Sequence, residues 1–182
     1  MSGDESTDRL HVVATRFGHV GVMTVGPKVA GIAPPRRSES GVRRHAPPRW
    51  RGLEPTAPRG AARRVAAALV QYLEGGDVDP ARLDVDLDFG EAPDLHRRIW
   101  LALREVRLGD TISYGRLATR AGHPGAVRAA GQAVARNPFP ILVPCHRVVS
   151  AYSPRGRLVA PGGIAVKARL LRLEGHTGVQ VG

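Results

Sequence analysis

The sequence predicts an α/β N-terminal domain followed by a mainly α C-terminal domain that contains a helix-turn-helix. Three observations lead there. Short β-prone runs fill residues 10–32, whereas the later half carries apolar stripes at helical spacing. Charge is divided unequally: residues 1–90 carry 13 Lys/Arg against 11 Asp/Glu, and residues 91–182 carry 14 against 5. The lone cysteine of the 182-residue chain lies in Asn137–Val149, a stretch stiffened by prolines at 138, 140 and 144. The expected domains are 1–90 and 91–175, with a tail at 176–182.

In order, His11–Arg16, Val20–Val25 and Lys28–Ile32 read as a β-meander broken by Phe17-Gly18 and Gly26-Pro27. Pro34–Arg59 is rich in Pro, Arg and Ser and reads as a long mobile loop with little to bury. Ala61–Leu73 is a helix with Ala62, Val65, Ala66, Leu69 and Leu73 on one face, stopped by Gly75-Gly76. Leu83–Phe89 alternates strictly and predicts a half-buried strand. Its three aspartates read as a solvated outer face and not as a metal site.

Pro93–Leu108 predicts a helix with an apolar stripe of Leu95, Ile99, Trp100, Leu103 and Val106, capped by Gly109. Trp100 belongs in that core. Tyr114–Ala121, a turn at Gly122-His123-Pro124, and Ala126–Arg136 follow as helix, turn and helix. The small residues Ala129, Ala130 and Ala133 on the second helix permit close approach to a nucleic-acid backbone. A last helix spans Ile164–Leu173, with Glu174-Gly175 at its end.

No apolar run is long enough to span a membrane, and the polar, acidic N-terminus does not read as a signal peptide. One cysteine excludes an internal disulfide and a Cys-rich zinc site, and a reducing, cytoplasmic location fits. Ten basic residues and no acidic one lie between Asp110 and Glu174, which points to a polyanion partner. An arginine-biased composition explains the many cations but not the missing acids.

Ile141-Leu142-Val143 reads as a core strand that carries Pro144, Cys145, His146 and Arg147 out on a stiff backbone. A thiol, a base and a cation so placed suggest a positioned nucleophile, although a lone cysteine beside apolar residues also suits a small buried hydrophobe. Adjacent residues in extended chain point oppositely, so a Cys145–His146 relay calls for a bridging water.

Pro144-Cys145-His146-Arg147-Val148-Val149 as a whole resembles the signature of the O6-alkylguanine-DNA alkyltransferases, and the likeness runs from about Pro93 to Gly175. The resemblance implies a ribonuclease H-like N-terminal domain and a winged-helix-like C-terminal domain. It implies irreversible transfer of an alkyl group from O6-alkylguanine in double-stranded DNA to Cys145, one turnover per molecule, by a monomer needing no cofactor or metal. It carries over Cys145, His146, Glu174 and Tyr114 as catalytic residues. Arg128, which fills the gap left by an extruded base, falls on the DNA-binding surface with Asn137, Arg136, Arg147, Arg116 and Ala129. Asn137 matches the residue that braces the segment before the active site. Pro144, Val148, Gly162 and Gly163 are assigned to the substrate pocket. Read singly, Tyr114 is also a half-buried aromatic, Arg128 a solvated cation and Asn137 a helix C-cap.

Two places depart from the family pattern. Leu95-His96 replaces a Phe-Gln pair. The loop before the last helix reads Leu158-Val159-Ala160-Pro161-Gly162-Gly163, with Ala160 in place of a tyrosine. Pro161 has no N–H to serve as a main-chain donor toward the guanine oxygen. Family zinc ligands in the N-terminal half have no cysteines here. The alternative function is a non-enzymatic binder of alkylated DNA.

Overall fold

Two tight turns, one at Gly18 (φ 108°) and one at Gly26 (φ 54°), fold the first residues into three antiparallel strands. These are β1 (Asp8–Thr15), β2 (Gly18–Val25) and β3 (Lys28–Arg36). The computed structural model describes residues 7–150 and 163–176. The chain divides into two compact units, Met1–Gly90 and Glu91–Gly182.

In the first unit, α3 (Gly60–Leu73) packs against the meander through Val65, Ala66, Leu69 and Leu73, all buried. Between sheet and helix the sequence expectation fails. Pro34–Arg59 is not a mobile loop: it extends β3 to Arg36 and then forms α1 (Glu39–His45) and α2 (Pro48–Arg51). The Ser38 side chain accepts from Gly41 N at 3.1 Å and caps α1. Val42, Ala46 and Trp50, spaced four apart, sink into a cluster with Leu10, Met23 and Ala33. Proline and arginine content hid this short stripe. Gly21 makes room for it, since a Cβ there would stand 2.7 Å from Val42 Cγ1. His11 ties the end of the segment to the sheet, its Nδ1 lying 2.9 Å from the Thr56 carbonyl.

Leu83–Phe89 is likewise not a strand. Val85 is buried and Asp84 and Asp86 are exposed, as the alternation requires. The segment meets the sheet only at a Val29–Leu87 bridge, flanked by Val29 N to Asp86 O and Asp88 N to Val29 O bonds of 2.9 and 2.8 Å. Alternation dictates which side chains face inward but supplies no run of ladder partners.

The second unit is built from α4 (Asp94–Arg104), a two-residue parallel pair β4 (Ile112–Ser113) and β5 (Val148–Val149), α5 (Tyr114–Arg120), α6 (Val127–Ala135) and α7 (Ile164–Leu173). Helices α4, α5 and α6 pack on one another around Ile99, Trp100, Leu103, Leu117, Ala130 and Ala133. Trp100 locks the packing by donating its indole N–H to the Ala133 carbonyl at 2.8 Å. No helix among the described residues is long and apolar enough to cross a membrane.

Candidate active site

The thiol is presented by a strained turn, not by the core strand expected from Ile141–Val143. Three prolines in seven residues cannot sustain a ladder, and the only pairing here is an isolated Pro140–Val143 bridge. Ile141 is forced to φ 77°, in the left-handed region that a β-branched residue avoids. Such a conformation costs about 1–3 kcal/mol and persists only when its surroundings hold it. Asn137 does the holding. Its amide donates to Val143 O at 2.8 Å, and its side-chain oxygen accepts from Phe139 N at 2.9 Å. Tight backbone bonds of 2.7 Å, Val143 N to Phe139 O and Cys145 N to Val143 O, close the turn. Pro144, buried, then opens a single 3₁₀ turn over Cys145–Arg147.

Inside that turn lies a charged cluster screened from water. The Glu174 carboxylate, with a side chain 0% exposed, meets His146 Nε2 at 2.8 Å. A carboxylate only accepts, so Nε2 carries the hydrogen and Nδ1 is the basic nitrogen. Arg147 embraces the same carboxylate through Nε (3.0 Å to Oε2) and a terminal nitrogen (2.9 Å to Oε1). Its other terminal nitrogen donates to Val106 O at 2.6 Å. Burial pushes the Glu174 carboxyl up, but His146 and Arg147 outweigh it and hold the group well below the usual carboxylate range. Burial keeps His146 below its ordinary value despite the pull of Glu174, so the imidazole stays neutral and able to accept a proton.

Cys145 is 5% exposed, and burial raises its thiol above the ordinary value. A hydrogen bond from Asn137 and the charge of Lys167 act against that rise. Lys167 is a residue that sequence reasoning missed. It is 2% exposed, donates to Val148 O at 2.6 Å, and burial brings its ammonium down to about 8. A lysine three residues into an amphipathic helix ordinarily reads as surface, and only its depth reveals it. Tyr114 starts α5 and is half-buried. Burial and the neighbouring Cys145 raise its hydroxyl, which places ring and sulfur within electrostatic reach of each other.

The remaining candidates divide by depth. Arg128 and Arg136, at the two ends of α6, and Arg116 on α5 are exposed, and Ala129 is half-buried beside Arg128. Arg147 is 0% exposed and committed to Glu174, which removes it from the DNA-binding surface where the sequence put it. Asn137, 6% exposed, is likewise an internal brace and not a surface contact. Val148 is fully buried, with its carbonyl engaged by Lys167. Gly163 precedes α7 at φ 94°, a conformation that favours glycine. Gly162, Ala160 and Pro161 lie outside the described residues. Among the described residues no group of three or more His, Cys, Asp or Glu side chains is placed to hold a metal ion.

The chain is similar to known proteins in sequence and in fold. A family profile described as 6-O-methylguanine DNA methyltransferase, DNA binding domain, matches residues 94–176. A methylated-DNA–protein-cysteine methyltransferase of Methanothermobacter thermautotrophicus is 36% identical over 121 residues, which is 66% of this chain and 65% of that protein. The chain thus spans slightly under two thirds of that relative's length. The crystal structure of the O6-methylguanine methyltransferase of Mycobacterium tuberculosis superposes with a TM-score of 0.74 at 31% identity, covering 92% of this chain and 93% of that one. The M. tuberculosis protein solved in complex with DNA superposes at 0.73 and 29% identity, covering 94% of each chain. Both are small sheets with helices, as here. With 31% identity to a solved relative matched over 93% of its length, and the family profile matching residues 94–176, which hold the helix pair, the braced turn and the buried Cys-His-Arg-Glu cluster, the chain belongs to the methylated-DNA–protein-cysteine methyltransferase family.

Proposed function

We propose that this protein repairs DNA by direct reversal, moving an alkyl group from O6 of guanine onto Cys145 in one irreversible step. The observation that carries the reading is the lone cysteine held on a braced turn next to a neutral imidazole fixed by a buried carboxylate at 2.8 Å. Glu174 orients His146, and Nδ1 accepts the Cys145 proton through one water. The thiolate attacks the alkyl carbon on the side opposite oxygen. The S–C bond forms, the O–C bond breaks, and the electron pair leaves on guanine O6. Tyr114 donates to a ring nitrogen and offsets that charge. The product thioether has no leaving group that water can displace readily, so each molecule acts once, without cofactor or metal.

The partner is double-stranded DNA carrying the alkylated base, as the basic second unit and the relative crystallised with DNA suggest. The target must leave the stack, which costs a few kcal/mol and less for a damaged pair. Arg128, exposed at the start of α6, fills the vacated space while Ala129 lets the helix approach closely. The second unit is then a winged-helix-type DNA-binding domain and the first a ribonuclease H-like support. The protein acts as a monomer in the cytoplasm.

The test is intact mass after incubation with a duplex containing O6-methylguanine. One methyl-sized increment, absent in Cys145→Ala, is expected. Lesion-selective binding with no mass change makes the protein a non-enzymatic binder of alkylated DNA. Failure to prefer the lesion at all removes the repair reading.

A further inference from the structure

Lysine is almost absent from this chain. Among its 27 Lys and Arg residues, Lys28 and Lys167 are the two lysines. Lys28 is exposed at the start of β3. Lys167 lies on α7, is 2% exposed, and donates from Nζ to Val148 O at 2.6 Å. A sequence that supplies its cations almost wholly as arginine thus keeps a lysine in the neighbourhood of its thiol. The chemical difference between the two side chains is that a guanidinium does not lose its proton in a protein, whereas an amine does.

The surroundings favour that loss. Val148 and Ala168 are 0% exposed, and a carbonyl, not a carboxylate, faces the nitrogen. Among the described residues no carboxylate pairs with Lys167. Burial brings the ammonium down to about 8, so at neutral pH the free amine is about two orders of magnitude commoner than in an exposed lysine. A desolvated lysine of this kind is a nucleophile toward carbonyl carbon. The bond to Val148 O holds Nζ in either protonation state, since a neutral amine still has N–H groups to donate. The Cys145 sulfur acts electrostatically on Lys167 and on the Tyr114 hydroxyl, so amine, thiol and phenol share one locale. The amine lies at a depth similar to that of the sulfur, which is 5% exposed.

We infer that Lys167 captures abasic sites in DNA as an imine, a second reaction housed beside the alkyl-accepting thiol. The inference rests on the DNA-repair reading, because the abasic nucleotide enters by the same extrusion. It has no base to unpair, so leaving the stack costs less. The space that guanine would fill is then open to the ring-opened sugar. The neutral amine attacks the C1′ aldehyde and a C–N bond forms. The two amine hydrogens pass to the carbonyl oxygen, which departs as water and leaves a C1′=N double bond to Nζ. Cys145 is not consumed, and water reverses the link.

Borohydride tests this directly: it delivers hydride to C1′, nitrogen takes a proton from solvent, and the link is fixed as a secondary amine. The wild-type protein is treated with borohydride on a duplex holding one abasic site, then read by intact mass and peptide mapping. One adduct on the Lys167 peptide is expected. None is expected with tetrahydrofuran in place of the abasic sugar, since that ring has no aldehyde to open. K28R should keep the adduct, and K167R, which keeps the charge, should lose it. A thermal melt establishes whether K167R is folded; if it is not, the position of the wild-type adduct decides. An adduct on Lys28 or on the N-terminal amine overturns the inference, as does equal trapping with tetrahydrofuran or full trapping by folded K167R. Methyl uptake without any trapping removes this inference alone. Trapping on Lys167 without methyl uptake removes alkyl transfer and leaves the imine standing.

Discussion

Lys167 shows how a single buried side chain sets the terms for its neighbours. An ammonium brought down to about 8 by burial, donating to a carbonyl and acting on Cys145, favours the thiolate over the thiol. Lys167→Met should move the pH midpoint for alkylation of Cys145 by iodoacetamide upward and slow the reaction several-fold near pH 7.5. A pH–rate profile superposing on wild type would sink this role. Arg147 makes the complementary point. Because it is sealed against Glu174, Arg147→Met should lower stability by roughly 3 kcal/mol, the scale of a broken buried pair, and leave the salt slope of DNA binding unchanged. Equilibrium urea unfolding and the binding assay check the two halves. Cys145 and His146 were singled out by one short motif and Glu174 by the family resemblance, and the structure brings Glu174 to His146 at 2.8 Å. The depth of Arg147, Asn137 and Lys167 was not legible in the sequence, since the words for a phosphate-binding arginine and an interior one are the same.

At the scale of elements, the segment between β3 and α3 shows what composition conceals. Three apolar residues at four-residue spacing are enough to dock two short helices, even among arginines and prolines. Trp50→Ala should therefore cost about 3 kcal/mol, read as a lower melting temperature and an earlier urea midpoint. A true surface loop would register almost nothing. Gly21→Ala is a sharper probe, since the new methyl would collide with Val42. A loss of about 1–3 kcal/mol is expected from such overpacking. The meander and the four long helices were legible because period and turn residues agree in them. Leu83–Phe89 and Ile141–Val143 misled because apolar pattern alone cannot tell a paired strand from an extended or turning segment. The deciding factors there are the absence of a neighbour along most of one segment and the prolines of the other.

At the scale of the whole molecule, acid resistance and charge are linked through Glu174. Its folded value lies below its unfolded one, so it contributes stability that is complete above about pH 5. That contribution drains as pH falls through the ordinary carboxylate range toward the depressed folded value. Glu174→Gln should flatten the acid limb of a stability–pH curve measured by thermal melting, and lower stability at neutral pH by leaving Arg147 without its anion. An acid limb identical to wild type would show that the carboxylate is not the group responsible. The same logic reaches past the reaction itself. Once the sulfur is capped as a neutral thioether, the cation donating to Val148 O loses a neighbour that could ionise beside it. A consumed copy thus lacks the titrating sulfur of a fresh one. Its chemical history should be readable on the alkaline limb of a stability–pH curve, where only the fresh copy can ionise beside that cation, with no change in shape required.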